Sequence, residues 1–396
     1  MKEGWTYKKL GEICRIERGG SPRPIKQFIT DEPNGLNWIK IGDTDPQGKY
    51  IYGTKEKIKP EGLRKSRWVE EDDFLLSNSM SFGRPYILKT NGCIHDGWLV
   101  LRDYQQSLYI DFFYYLLISQ NVQNQFKTKA QGSTVSNLNT DRVADVDIAF
   151  PSLSDQKRVV SRLDAAFSHI DELKANAEKQ LSEARALFQK SLAKAMKPKE
   201  GWKEKKLIEI THEKCPISYG IVQQGNHIDG GVPVVRPVDM REKYITRENL
   251  KCTTQTISDS YKRTILRGDE LLLSVRGTTG IISLATPELK GCNVNRGIVP
   301  LYFKDQFNKD FLYYEMVSPI LQSVFAEKTT GSTLKQINIK DLRLIKLSIP
   351  PNSEQQRIVE RLDALSAHIR KLEENQKKII SECDALKQAL LRKVFE

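Results

Sequence analysis

The sequence predicts an α+β fold: two tandem copies of one globular domain, each followed by a long helix, with the two helices pairing as a coiled coil. Three observations predict it. The chain repeats itself about every 199 residues, so that Gly132-Ser133-Thr134 returns as Gly331-Ser332-Thr333. The repeat is plain in some stretches and nearly lost in others. Two segments of about 43 residues carry heptad seams with no internal Gly or Pro. A repeat this long is a duplicated domain, not a solenoid unit. The implied divisions are 1–153 and 198–352 for the globular halves, and 154–197 and 353–396 for the long helices.

Each half opens on Gly-Trp (Gly4-Trp5, Gly201-Trp202). Short strand-like runs follow: residues 38–41 match 232–235, and Phe74-Leu75-Leu76 matches Leu271-Leu272-Leu273. Gly92-Cys93 matches Gly291-Cys292. Residues 109–126 and 311–325 read as helices with aromatic faces, in which Phe112, Tyr114 and Tyr115 return as Phe311, Tyr313 and Tyr314. Between residues 17–67 and roughly 211–263 the similarity nearly vanishes. Drift in surface loops explains part of this. The sharper reading is that shared parts build a frame and divergent parts read two different things.

The long segments complete the pattern. Pro151, Gln156, Arg158 and the run Arg162-Leu163-Asp164-Ala165 return as Pro350, Gln355, Arg357 and Arg361-Leu362-Asp363-Ala364. In the first, Val159, Leu163, Ala166, Ile170, Leu173, Ala177, Ala184 and Leu187 form a stripe that Gln180 and Ser191 interrupt. In the second, Ile358, Leu362, Leu365, Ile369, Leu372, Ile379, Cys383, Leu386 and Leu390 form a seam with Gln376 as its one polar lapse. Ser154 and Ser353 stand where N-caps belong. Each helix is a rod of roughly 65 Å. The natural partner of each seam is the other. Residues 197–201 form a helix stop and linker.

Composition narrows the class. Charged residues at 28% and apolar ones at 39% suit a soluble globular protein. The polar start is no signal peptide, and the most apolar stretch, 112–118, is too short to cross a membrane. Six scattered cysteines without C-x-x-C spacing suggest reduced thiols and a cytoplasmic location. The net charge of +12 points to a polyanionic partner. The long segments supply only +3 and +1 of it, so most lies in the globular halves.

Catalytic signatures are missing. There is no phosphate loop, no glycine fingerprint after a strand and no Asn/Asp-Pro-Pro-aromatic run. The histidines (His95, His169, His212, His227, His368) form no metal pair. No carboxylate cluster suits a nuclease. His95-Asp96 has no counterpart in the second copy and by itself signifies little.

Loops suited to DNA are more visible. A glycine-rich turn carries Arg18, Gly19, Gly20, Ser21 and Arg23; its glycines would let backbone N–H groups approach phosphate. Arg64, Lys65 and Arg67 form a basic cluster. The loop after the central strand carries Asn78, Ser79, Ser81 and Arg84, with Arg276, Thr278 and Thr279 as its counterpart. Lys127 and Lys129 pair with Lys328 and Thr330. Asn293, Asn295 and Arg296 form a further polar loop in the second copy. Singly each is more often a solvated turn. At matching places in two copies, they favour a DNA surface.

The chain resembles the specificity subunit of type I restriction–modification systems. The resemblance rests on the Gly-Trp openings, on the Gly-Gly-Ser-Pro turn at 19–22, and on the stretches 132–164 and 331–363. The second copy lacks the Gly-Gly turn, with Tyr219-Gly220-Ile221-Val222 in its place, so no binding role is carried over there. The resemblance implies two target-recognition domains, each reading half of a split site in double-stranded DNA. It implies an antiparallel helix pair that fixes the spacing, and no catalytic activity or cofactor in this chain. Two methyltransferase subunits and restriction/translocase subunits would carry S-adenosylmethionine, ATP and Mg. Two rivals stand beside it: a recognition subunit whose partner fuses methyltransferase and nuclease, and a coiled-coil scaffold or RNA-binding adaptor.

Overall fold

The structure, a computed structural model, describes every residue except 1, 47, 79–82, 131–137 and 333. The expectations placed on Ser79, Ser81, Gly132-Ser133-Thr134 and Thr333 therefore lie outside the described residues. The chain forms two compact units. One is Met1–Glu178 with Lys377–Glu396, the other Lys179–Gln376. Each unit thus holds one globular half together with portions of both long helices.

In the first unit, strand Thr6–Lys9 pairs antiparallel with Asp147–Phe150, tying the opening Gly-Trp segment to the strand before the long helix. Two five-stranded sheets follow. One runs Ile29–Thr30, Glu56–Ile58, Leu36–Ile39, Gly92–Ile94, Arg67–Val69. The other runs Arg15–Arg18, Trp98–Arg102, Phe74–Ser77, Pro85–Leu88, Tyr50–Ile51. Phe74 and Leu76 face a core with Phe112, Phe113 and Phe126, while Leu75 faces another with Ile39, Trp98 and Val100. A strand buried on both faces reads as an unbroken apolar run, as Phe74-Leu75-Leu76 does.

The second unit repeats this with shorter sheets. Lys203–Lys206 pairs with Lys346–Ile349. A three-stranded sheet runs Lys251–Thr253, Val232–Val235, Asn293–Val294, and a four-stranded one Tyr244–Ile245, Ile282–Ala285, Leu271–Ser274, Ile298–Leu301. Leu271 and Leu273 face one core and Leu272 another.

The aromatic segments are not single helices. Ile110–Ile118 and Gln120–Ala130 are separated by Ser119, and Lys309–Val317 and Pro319–Lys328 by Ser318. Both serines are extended, at ψ 148°. At Ser318 the cause is the following proline, which disfavours helical backbone before it; the Ser318 hydroxyl then accepts the Leu321 N–H.

The long helices span Leu153–Ala195 and Asn352–Phe395. They begin before the expected caps. Ser152, not Ser154, accepts the Asp155 N–H, and in the second helix the Pro351 carbonyl accepts from Glu354 and Gln355. The repeated glutamines are buried fasteners. Gln156 accepts the Tyr109 N–H and donates to the Pro151 carbonyl; Gln355 does the same for Asn308 and Pro350.

Within each unit the helices pair antiparallel. Asp171 meets Lys387 at 2.5 Å and Lys174 meets Asp384 at 2.8 Å in the first. Arg185 meets Glu373 at 2.7 Å and Gln376 donates to Gln180 at 3.0 Å in the second. The buried line is Leu163, Ile170, Ala177, Ala184 on one helix and Leu362, Gln376, Cys383 on the other. Four residues of the expected stripes are off the seam: Leu173, Leu187 and Leu386 are about half exposed, and Ile379 is 38% exposed. Packing instead uses the positions four residues after each buried one, where Phe167, Lys174, Leu181 and Phe188 are partly covered. Among the described residues no helix is long and apolar enough to cross a membrane.

Candidate nucleic-acid interface

In the first half the candidate residues gather around a turn that carried little weight in the sequence. Strand Gly92–Ile94 ends in His95-Asp96-Gly97. Asp96 is the hub. Ser21 donates to its carboxylate at 2.6 Å, and the Arg23 guanidinium lies 3.4 Å from it. Arg18 and Asn78 donate to its backbone carbonyl at 3.3 and 2.9 Å. The Ser21 hydroxyl, followed by the neighbouring backbone, His95 and Arg23, holds the Asp96 carboxyl below the usual carboxylate range despite partial burial. Arg67 lies alongside, ion-paired to Glu17 at 2.8 Å. Arg64 and Lys65 are exposed, and the Lys65 ammonium sits 5.7 Å over the Phe28 ring.

His95 is half-buried beneath the hub. The Gly97 N–H points at its Nδ1 (2.7 Å) and the Ile41 N–H at its Nε2 (3.1 Å). Burial lowers the pKa of the ring, and the Lys40 ammonium adds to this, against the opposing pull of Asp96. An apolar-walled cleft of about 1050 Å³ opens beside it, bounded by Pro22, Pro24, Trp38 and Ile29, with Arg23 and Lys26 at its edge.

Several expectations are corrected here. Gly19 and Gly20 do not offer free N–H groups to phosphate, because those groups already donate to the Trp98 and Ile94 carbonyls. They are glycines for space: a Cβ on Gly19 would stand 2.2 Å from the His95 carbonyl oxygen, and one on Gly20 2.7 Å from that of Lys65. The missing Gly-Gly turn of the second copy is only half missing, since a Cβ on Gly220 would stand 2.1 Å from the Val294 oxygen. Asn78 is 1% exposed and faces inward. Asn293 is fully buried, bonded to Thr264, Ser258 and Val294, and braces its strand rather than facing a ligand. Arg84 is half-buried, its guanidinium 5.5 Å over the Tyr86 ring. Arg84 and Arg276 are also not equivalent. Ser77 N–H bonds the Arg84 carbonyl as Ser274 N–H bonds that of Ile281, so Arg84 matches Ile281.

In the second half the same turn is Asn295-Arg296-Gly297. Asn295 accepts the Gly297 N–H at 2.6 Å, as His95 receives that of Gly97. Val275 N–H bonds the Gly297 carbonyl as Asn78 N–H bonds that of Gly97. Arg296, exposed, thus stands where the first half has Asp96. The loop with Arg276, Thr278 and Thr279 lies against a hairpin, with Gly277 N–H on the Lys335 carbonyl and Thr279 2.9 Å from Thr329. Thr330 and Lys328 are exposed at that hairpin. In the first half Lys127 is exposed, while Lys129 is ion-paired to Asp145, which Lys9 also contacts.

This surface has the chemistry of recognition. Guanidiniums, hydroxyls and amides stand on turns that a strand frame fixes, which suits hydrogen bonding to phosphates and base edges. Among the described residues no group of His, Cys, Asp and Glu could hold a metal ion. Burial raises the Cys14 thiol to about 12 and those of Cys93 and Cys215 to about 11, which keeps them from being nucleophiles at neutral pH.

Comparison with known proteins agrees with this arrangement. The family model for the type I restriction modification DNA specificity domain matches residues 2–183 and again 199–382. The EcoBI specificity subunit of Escherichia coli is 22% identical over 419 residues, covering 100% of this chain and 86% of the relative. The putative MjaX specificity subunit of Methanocaldococcus jannaschii is 23% identical, covering 92% and 87%. In fold, a chain solved in work on complex assembly and conformational transition of the type I R-M system aligns with TM-score 0.78 at 22% identity, over 100% of this chain and 98% of that one. The HsdS subunit from Thermoanaerobacter tengcongensis aligns at 0.58 and 21%, over 100% and 97%. The chain therefore belongs to the family of type I restriction–modification DNA specificity proteins, with the specificity domain present twice.

Proposed function

We propose that this chain reads a bipartite, asymmetric site in double-stranded DNA and directs a type I restriction–modification complex to it. One observation carries the reading: two copies of one frame present opposite charges at one turn, Asp96 in the first and Arg296 in the second. Two such readers recognise two different half-sites. The paired helices act as the ruler between them, and readers on one face of B-DNA favour a separation near one turn, about 34 Å.

Partners follow from the helices. Leu173, Ile379 and Leu386 in the first unit, and Leu187 in the second, are exposed apolar residues at heptad spacing, which suits partner helices. We assign these exposed helix positions, in each unit by itself, to two methyltransferase subunits, which would flip and methylate adenine with S-adenosylmethionine. Restriction/translocase subunits would add ATP and Mg. This chain would hold no cofactor and catalyse nothing. A coiled-coil RNA adaptor gains little support from the surface: among the described residues the exposed large aromatic side chains are Tyr7, Tyr52 and Tyr244, in separate segments of the chain.

Methylome sequencing of a strain expressing the chain with its methyltransferase partner tests this. The expected result is one split motif with unlike halves and a fixed gap. Removing one heptad, residues 177–183, should change the gap and leave both halves intact. A constant gap would sink the ruler. Binding to duplex DNA should weaken with salt at a log–log slope of roughly −0.9 per phosphate contact.

A further inference from the structure

A second repeat is hidden by a shift in register. Lys49-Tyr50-Ile51 returns as Lys243-Tyr244-Ile245, about 194 residues on, inside the stretch where the main repeat is lost. In both halves this segment forms an edge strand beside the return strand of the central hairpin. Tyr50–Ile51 runs parallel to Pro85–Leu88, and Tyr244–Ile245 parallel to Ile282–Ala285. The lysine carbonyl accepts from that return strand each time: Ile87 N–H to Lys49 at 2.9 Å, Leu284 N–H to Lys243 at 2.6 Å.

The lysine side chains reach the opposite way, into the frame. Lys243 Nζ lies 3.1 Å from Asp363 and 3.4 Å from Asp310, and about 5 Å from the ring centres of Tyr313 and Tyr314. The Tyr314 hydroxyl donates to the same Asp363 at 2.5 Å. Lys49 is ion-paired to Asp111 and lies 4.9 and 5.3 Å from the rings of Tyr114 and Tyr115, and the Tyr115 hydroxyl donates to Asp164. Asp164 and Asp363 are the acidic residues of the repeated Arg-Leu-Asp-Ala run on the long helices. Every group meeting the lysine on the frame side belongs to the repeat; only the lysine comes from the divergent stretch.

A nearly buried ammonium is costly unless its partners are well placed. Lys243, 8% exposed at its side chain, has carboxylates and two ring faces, which favour one position of the cation. Burial opposes its charge, but Asp363, Tyr244 and Asp310 outweigh this, and its pKa is raised. The edge strand beside the hairpin that bears the loop at Arg276 is therefore tied to the long helix by this side chain, in addition to the apolar core that hairpin and helix share.

We propose that the Lys-Tyr-Ile edge strand is a latch that fixes the reading hairpin of each half on the long-helix frame, with Lys243 and Lys49 as positioning residues for DNA recognition. The inference rests on the DNA-reading function proposed above. The test uses the full chain co-expressed with its methyltransferase partner, read by methylome sequencing and thermal melting. Lys243→Met should let methylation spread to sites altered in the half-site of the second half, with discrimination there falling roughly tenfold and the other half-site unchanged. Lys49→Met should do the mirror image. Tyr314→Phe, which keeps the ring and removes the hydroxyl bonded to Asp363, should shift the same half-site roughly threefold, and it decides the matter if Lys243→Met does not fold. Equal loss at both half-sites would overturn the latch, as would unchanged discrimination in a folded Lys243→Met or, failing that, in Tyr314→Phe. A wild-type complex with no split motif would overturn the DNA-reading function, and the latch with it.

Discussion

The first half turns at His95-Asp96-Gly97 and the second at Asn295-Arg296-Gly297, on the same backbone hydrogen bonds. The carboxylate of the first draws in Ser21 and Arg23; the guanidinium of the second stands exposed. The frame fixes where the chain turns, and side chains beyond the turn are free to specialise. A second difference lies inside the frame. Leu116 of the first half is replaced by Glu315 in the second, and both are buried. One Glu315 oxygen receives the Ser348 N–H at 3.2 Å; the other has no partner among the described residues. Divergence therefore reaches the interior as well as the reading surface.

The interior difference should give the largest effect. Burial pushes the Glu315 carboxyl up from its ordinary 4.5 to about 7. The folded state holds a proton that the unfolded chain releases. Stability from this group is thus complete below pH 4.5, falls as pH rises towards 7, and stays lost above that. The span corresponds to about 3 kcal/mol. Glu315→Leu, which copies the first half, should stabilise the second unit by up to that amount above pH 7 and flatten its melting temperature against pH. Leu116→Glu should import the slope into the first unit. An unchanged pH profile in Glu315→Leu would show that the carboxyl is already solvated.

The surface difference comes next. Asp96→Ala releases Ser21 and Arg23 and removes a negative charge. Affinity for unrelated duplex should rise while discrimination at the first half-site falls, by about 1–3 kcal/mol for a lost base contact. Arg276→Ala should cost a similar amount at the second half-site alone. Competition binding with duplexes altered in one half-site at a time measures both. If either variant moved the other's half-site, the one-half, one-site assignment would fail.

The frame was legible in the sequence because burial constrains it. Residues such as Phe112 and Phe311, or Gln156 and Gln355, fill equivalent enclosed places, so their types repeat. One line of each heptad seam was legible, from Leu163 to Ala184 and from Leu362 to Cys383, but not the second: Leu173 and Leu386 fit the period and yet face outward, because a broad apolar stripe permits two neighbouring seams and only packing chooses between them. Strand order was not legible, since parallel pairs such as Tyr50–Ile51 with Pro85–Leu88 join segments far apart. The hub at Asp96 was missed because its partners come from two segments far from it in sequence, Arg18, Ser21 and Arg23 from one and Asn78 from the other. The Lys-Tyr-Ile repeat could have been found by allowing the register to slip.

The seam offers a smaller test of the same contrast. Gln180 and Gln376 meet in the second unit, where the repeat would place Ile379 and Ala177 as their counterparts. Changing Gln180 alone to Leu strands the buried Gln376 amide and should lower stability by about 1 kcal/mol, whereas changing Gln376 alone leaves only the exposed Gln180 amide and should cost less. Changing both should restore or exceed wild-type melting, because an apolar pair at a seam position replaces a polar one. A double variant less stable than either single would mean that the glutamines fix the helix register, and the split motif's gap would then be expected to vary.

The smallest expected effect belongs to Arg84. It sits in the loop that should read DNA, yet its guanidinium lies over the Tyr86 ring of its own strand, and its counterpart is the apolar Ile281. An arginine stacked on an aromatic face covers apolar surface as Ile281 does. Arg84→Ala should therefore lower the stability of the first unit slightly, by about 0.5–1 kcal/mol, through the lost cation–π contact and packing, seen as a small fall in melting temperature. The methylated motif should not change. Arg84→Ile should recover most of that stability, since it installs the second half's solution. If Arg84→Ala instead relaxed the first half-site at unchanged melting temperature, the side chain must leave Tyr86 to meet DNA. The first half would then read with a residue for which the second has no equivalent.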